Sequence, residues 1–132
     1  MNSVQIMGNL ARDPNIRATK TGKAVASFTV AVNRNYTTPQ GEQKEITDWV
    51  NCIAWGNLAE AVGNQLKKSS RVFVEGRFTT RSYEDQNGQK KWISEVNANF
   101  IAVPLQTSSN SGARPPADFS RFGNYRDEDI PF

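Results

Sequence analysis

Along the first hundred residues apolar and polar positions alternate in runs of strand length, broken by turn-forming clusters. Val4, Ile6, Gly8 and Leu10 occupy every second position, so residues 4–10 predict a first strand. Asp13-Pro14 closes it, because proline lacks an amide donor and restricts the residue before it. Thr19–Lys23, with Thr21-Gly22, reads as a turn carrying two lysines. From Ala24 to Asn33 the alternation returns, and Ala26, Phe28, Val30 and Val32 form a stripe that suits a core. Arg34–Lys44 is polar and holds Pro39 and Gly41, which predicts a long flexible loop with Tyr36 near its base.

Thr47–Trp55, reading TDWVNCIAW, organises the rest. Val50, Cys52 and Ala54 fall on one side of an extended strand; Trp49, Asn51, Ile53 and Trp55 fall on the other. The first set suits a core. The second presents two indoles on one face, which either packs in a core or subunit contact or waits for something flat to stack on it.

The period then changes. Leu58, Val62 and Leu66 recur at spacing four and predict a helix over 58–66. Asn57 is placed to cap it, with Glu60 three residues on, and Lys67 and Lys68 are placed to close it at the negative end of the helix dipole. Arg71–Arg81 alternates as a strand, with Val72, Val74, Gly76 and Phe78 on one face. Asn87-Gly88 predicts a tight hairpin turn whose two central residues both take positive φ. Tyr83 lies on the strand entering this hairpin and Trp92 on the strand leaving it. Ile93–Val103 continues as the final strand, and Pro104 ends the domain. The chain therefore reads as all-β with one helix. A single helix between the third and fourth of five strands fits a five-stranded OB-fold barrel with an extended hairpin. It does not fit a doubly wound α/β sheet, which needs strands and helices in alternation.

Residues 1–105 form the expected domain. Residues 106–126 change character: Ser, Asn, Gly and Pro supply 10 of the 21 positions and no periodicity survives, so a disordered linker is expected. Residues 127–132 form an acidic tip. The charge is divided accordingly. Residues 1–105 carry 13 basic against 9 acidic side chains, and residues 106–132 carry 3 against 4. A mildly basic domain suggests a polyanionic partner.

Composition narrows the chemistry. The 132-residue chain has no histidine and one cysteine, Cys52, so an imidazole-assisted nucleophile, a thiolate or imidazole metal site and an internal disulfide are all excluded. A lone cysteine suits a reducing, cytoplasmic compartment. Glu75, Glu84 and Asp85 sit beside basic residues and read as solvated. No catalytic residue, metal ligand or cofactor is expected, and the protein is not expected to be an enzyme. The opening MNSVQIMGNL lacks the features of a signal peptide, and no segment approaches a membrane span.

What remains is a set of rings interleaved with cations. Tyr36, Trp49, Trp55, Tyr83 and Trp92 lie on or next to strands, with Arg34, Lys67, Lys68, Arg77 and Arg81 near them in sequence. Single-stranded nucleic acid exposes flat bases and a charged backbone, so rings and cations together suit it. An oligosaccharide or a protein contact could use the same rings. At the tip, Asp127, Glu128 and Asp129 precede Ile130, Pro131 and Phe132. Acids flanking an apolar end suit a basic pocket with a hydrophobic floor on a partner protein.

These segments resemble the bacterial single-stranded DNA-binding proteins in their short homotetrameric form. The likeness rests on VQIMGNLARDPNIR, AVASFTVAVNRNY, TDWVNCIAWGNLAEAV, VFVEGRFTTRSYEDQNGQKKW and DEDIPF. It implies base stacking on Tyr36, Trp49, Trp55 and Tyr83, with backbone contacts at or near Arg34, Lys67, Lys68 and Arg81. It also implies a cytoplasmic, nucleoid-associated homotetramer whose tip recruits replication, recombination and repair proteins. The chain departs from the family pattern at Val50, where histidine is usual, and at Ser69, where glycine is usual. Asn51, Asn57 and Thr79 stand where some members carry cations.

Overall fold

The computed structural model describes residues 1–105; the predicted linker and tip lie outside the described residues. The elements are β1 (Val4–Leu10), β2 (Asn15–Ala18), β3 (Ala24–Thr37), β4 (Gln43–Trp55), α1 (Asn57–Gln65), β5 (Arg71–Glu84) and β6 (Lys90–Ala102). Hydrogen bonding runs in the order β1-β5-β6-β4-β3-β2, and β1 also pairs with β3 at Asn9–Ala31 and Leu10–Val30. That second pairing closes five strands into a barrel and leaves β2 on the outer edge of β3. Gly8 sits at the closure, where a side chain would run into the Ala31 carbonyl, so only glycine allows β1 and β3 to meet. All pairings are antiparallel except β4 with β6, which meet in parallel at Cys52–Val96 and Ile53–Asn97.

The barrel interior is filled as the alternation predicts. Ala26, Phe28 and Val30 of β3, Cys52 and Ala54 of β4, Val72 and Val74 of β5, and Val96 and Ala98 of β6 are all buried in one cluster. Helix α1 adds Ala59 and Val62 to this cluster, and Leu66, just beyond it, joins them. Burying a side chain of this kind contributes roughly 1.5–3 kcal/mol. Val50 and Val32 pack against the cluster's edge.

Several sequence expectations are corrected. Residues 34–44 do not form a long loop: β3 runs to Thr37, β4 begins at Gln43, and only Thr38–Glu42 turns. Residues 15–18 form a strand that the pattern missed, because four exposed residues display no alternation against a core. Asn57 is the first helical residue and not the cap. Gly56 occupies the cap position, and no side chain bonds the helix start. Lys67 and Lys68 lie beyond the last helical turn, which holds no basic residue. They belong to a tight turn in which the Lys67 amide donates to Ser70 Oγ and the Lys68 amide donates to Asp13 Oδ1. Phe78, expected on one face with Val72 and Val74, is 51% exposed although those two are buried, and Ile53, expected on the face of the indoles, is buried. In β5 the pairing shifts at Glu75/Gly76, and Phe78 lies beyond this irregularity, paired with the buried Val96.

The three hairpins share one turn, which the Asn-Gly reading did not anticipate. Asn87 does not take positive φ; Gly88 alone does, at 75°. The chain turns over five residues, with the Asp85 amide donating to the Gln89 carbonyl and the Gly88 amide to the Asp85 carbonyl. The same two bonds recur between Thr19 and Lys23 with Gly22, and between Thr38 and Glu42 with Gly41. In each, the first side chain accepts from the amide four residues on: Thr19 from Lys23, Thr38 from Glu42, Asp85 from Gln89. The rule is a short polar acceptor followed three positions later by a glycine in the left-handed region.

Candidate nucleic-acid interface

The outward positions of β3 and β4 build one wall of a surface groove. Register pairs Val25 with Trp55, Ser27 with Ile53, Thr29 with Asn51 and Ala31 with Trp49, and directly paired residues share a face. Strand β2 extends this face with Asn15 and Arg17, opposite Ser27 and Val25. Across the groove stand Arg81 of β5 and Ile93 and Glu95 of β6. Trp55 lies at one end beside Asn15, Arg17 and Arg81; Trp49 lies at the other beside Arg12, Thr29 and Asn51. The two indoles are 64% (Trp49) and 39% (Trp55) exposed, so neither is sealed in the barrel. Ile53 lies buried between them on the groove floor, which explains why it shares their face without their exposure.

The same register divides the predicted rings and cations. In the β5–β6 ribbon, Tyr83 pairs with Lys91 and Arg81 with Ile93, so Tyr83 continues the face that carries Arg81. Trp92 pairs with Ser82 and therefore projects from the other face. In the β3–β4 ribbon, Arg34 pairs with Ile46 and Tyr36 with Lys44, on the parity of Val30 and opposite to that of Trp49. The groove face thus holds Trp49, Trp55, Tyr83 and Arg81. Tyr36, Arg34 and Trp92 are exposed on the reverse faces. Arg77 shares the parity of Arg81 but does not line the groove. Lys67 and Lys68 are exposed at their turn and do not line the groove themselves, but the Lys68 amide donates to Asp13 Oδ1, and Asp13 lines it.

Cations attend the rings. Lys23 Nζ lies 5.7 Å from the Trp55 ring centroid, and Lys90 Nζ lies 5.0 Å from that of Trp92. Two arginines are oriented by acids: Arg34 Nε donates to Asp48 Oδ2 and Arg81 Nε to Glu95 Oε1, each at 2.8 Å. Thr29 donates its hydroxyl to Asn51 Oδ1 at 3.2 Å, fixing the amide between the indoles. Cys52, behind the groove, has its thiol pushed up to about 12, first by burial and then by the Glu95 charge, so it stays a protonated packing residue.

Sequence reasoning missed Arg12, Arg17, Lys23 and Glu95. Arg17 lies on a strand too short to show itself and Arg12 just before it, and Lys23 and Glu95 meet their partners only through strand pairing. The one available signal was the density of cations between Arg12 and Lys23. Among the described residues no cluster of acids or cysteine could hold a metal ion, and no helix is long and apolar enough to cross a membrane.

Barrel and groove together define an OB-fold module with an arginine-lined surface flanked by exposed rings. The comparisons agree on what kind. The model of the single-strand binding protein family matches residues 1–104, and the chain belongs to that family. It is 46% identical over 113 residues to single-stranded DNA-binding protein A of Bacillus subtilis, covering 86% of this chain and 64% of that protein. Single-stranded DNA-binding protein 2 of Listeria monocytogenes is 39% identical over 125 residues, covering 95% and 77%. Among solved structures, a deletion mutant of the single-stranded DNA binding protein from Thermus aquaticus matches with a TM-score of 0.71 at 31% identity. That match covers 80% of this chain and 51% of the other.

Proposed function

We propose that this protein binds single-stranded DNA without sequence preference. Bases stack on Trp49, Trp55 and Tyr83, and phosphates meet Arg12, Arg17 and Arg81. The observation that carries this reading is the pair of exposed indoles at opposite ends of one arginine-lined groove. An unpaired strand offers its bases and its phosphates to such a surface together, whereas a duplex hides the bases. Stacking supplies most of the affinity, at ~1–3 kcal/mol per base, while the arginines supply the salt dependence. The relatives named for this binding support the same assignment.

The assembly proposed is a homotetramer. Met7, Phe73 and Phe100 share one outer face of the β1–β5–β6 sheet beside Glu75, with Phe73 and Phe100 edge to face at 6.4 Å, and the exposed Met7 and Phe100 suit a second copy. The tip at Asp127–Phe132 is proposed to recruit replication, recombination and repair proteins in the cytoplasm, at the nucleoid.

The test is intrinsic tryptophan fluorescence titrated with oligo(dT), with duplex DNA and oligo(U) as competitors. Strong quenching that duplex does not reverse supports the reading. Absent quenching, or equal competition by duplex, refutes it; preference for oligo(U) redirects it to RNA. Native mass measurement tests the tetramer, and pull-down with and without Asp127–Phe132 tests the tip.

A further inference from the structure

Glu95 is the only buried acidic or basic side chain among the described residues, 6% exposed, and it lines the groove together with Arg12, Arg17 and Arg81. An anion there opposes a polyanionic ligand, since it lowers the potential that the arginines raise. A buried carboxylate is also expensive to hold without partners. Its carboxylate accepts from Arg81 Nε at 2.8 Å, and its main-chain carbonyl accepts from Thr79 Oγ1 at 3.3 Å. Among the described residues Glu95 is the only polar partner of the Arg81 side chain, which is itself 54% exposed. A guanidinium is a rigid planar fork, so holding Nε orients the two terminal nitrogens as well. The bond uses one donor and leaves the terminal ones for a second anion.

We propose that Glu95 is a positioning residue for the DNA backbone: it fixes the Arg81 guanidinium at the groove so that its terminal nitrogens receive a phosphate. This deepens the single-strand reading and rests on it. The exposed pair of Arg34 with Asp48 repeats the Nε geometry with the acid half open to water, and there solvent screens what burial enforces at Glu95.

The experiment compares wild type, E95Q, R81Q and the double variant against oligo(dT) over a range of salt concentrations. Glutamine removes a negative charge while keeping shape, so charge alone predicts tighter binding and a steeper salt slope. Positioning predicts the opposite: affinity lower by roughly two- to tenfold, the net size of one hydrogen-bonded contact, and a log–log salt slope shallower by about 0.7, one phosphate contact on a single strand. The double variant must then bind no worse than R81Q. Equal or tighter binding by E95Q, an unchanged slope, or losses that add in the double variant would overturn the proposal. Wild type binding normally beside an unaffected E95Q sinks this inference alone; wild type failing to bind sinks the single-strand reading with it. Should E95Q not fold, R81K decides with Glu95 intact. Lysine keeps the charge but cannot hold carboxylate and phosphate in one rigid fork, so R81K must bind more weakly than wild type while keeping the wild-type salt slope. R81K at wild-type affinity overturns the proposal.

Discussion

The two long ribbons, β3–β4 and β5–β6, are built from the same parts. Each is joined by a five-residue turn with a left-handed glycine, Gly41 in one and Gly88 in the other. Each carries an arginine whose Nε is held by an acid at 2.8 Å, and each displays aromatic rings on both faces. They differ in where the acid lies. The Asp48 side chain is 47% exposed, whereas that of Glu95 is 7% exposed, below the groove that separates the ribbons. One motif thus yields a screened surface pair in the first ribbon and a desolvated, orienting pair in the second. Burial, set by which strand lies alongside, makes the difference.

The sharpest way to break this comparison is through the rings. Trp55→Ala, on the groove face, is expected to weaken oligo(dT) binding by ~1–3 kcal/mol. Trp92→Ala, on the reverse face of the second ribbon, should cost less than half of that, by the same titration. Equal losses would show that both faces of the ribbon hold DNA.

A second test addresses the seam where the ribbons meet, at the parallel pairing of Cys52 with Val96. The Cys52 thiol is raised from 9.0 to about 12 in the fold, so above about pH 9 the unfolded chain releases a proton that the folded chain keeps. The stabilisation is complete below pH 9 and is lost as pH rises toward 12, at up to about 1.4 kcal/mol per pH unit. Denaturant melts of wild type against Cys52→Ala should show the wild type falling faster with pH in that range; parallel curves would mean that the thiol is not desolvated.

Smaller effects separate the two arginines. R81Q should weaken binding by roughly 1–2 kcal/mol and flatten the salt slope, while R34Q, whose partner is solvent-screened, should cost under about 1 kcal/mol. Reversed magnitudes would move the backbone path to the first ribbon. Smallest is Ser69, the only non-glycine residue with positive φ among the described residues, at 75°. S69G relieves that strain and is expected to raise stability by about 0.5–1 kcal/mol, seen as a higher Tm. No gain would mean that the left-handed backbone at Ser69 holds no strain that glycine relieves, since the bonds to Ser69 O and from the Ser69 amide are kept in both variants.

Much of the site was legible because it lies along one strand. The alternation that put Cys52 and Ala54 inside put Trp49 and Trp55 outside, with no reference to any neighbour. Whatever depended on a second strand was not legible. Tyr83 and Trp92 looked equivalent in the sequence, yet the Asp85–Gln89 turn pairs Glu84 with Lys90 and so sends them to opposite faces; a turn one residue longer would reverse this. Tyr36 and Trp49 are separated by the same logic across Thr38–Glu42.

The amino-acid order by itself determined the cores of the five barrel strands, the single helix, the interior stripe and the outward indoles, because those follow from periodicity within a segment and from burial of apolar area. Tertiary structure alone decided that Arg12, Arg17 and Arg81 line one groove, that Glu95 lies buried beneath Arg81, and that the turn of Lys67 and Lys68 is tied to Asp13 at that groove. Such placements depend on barrel closure and cross-strand register, which bring together side chains that no local spacing relates.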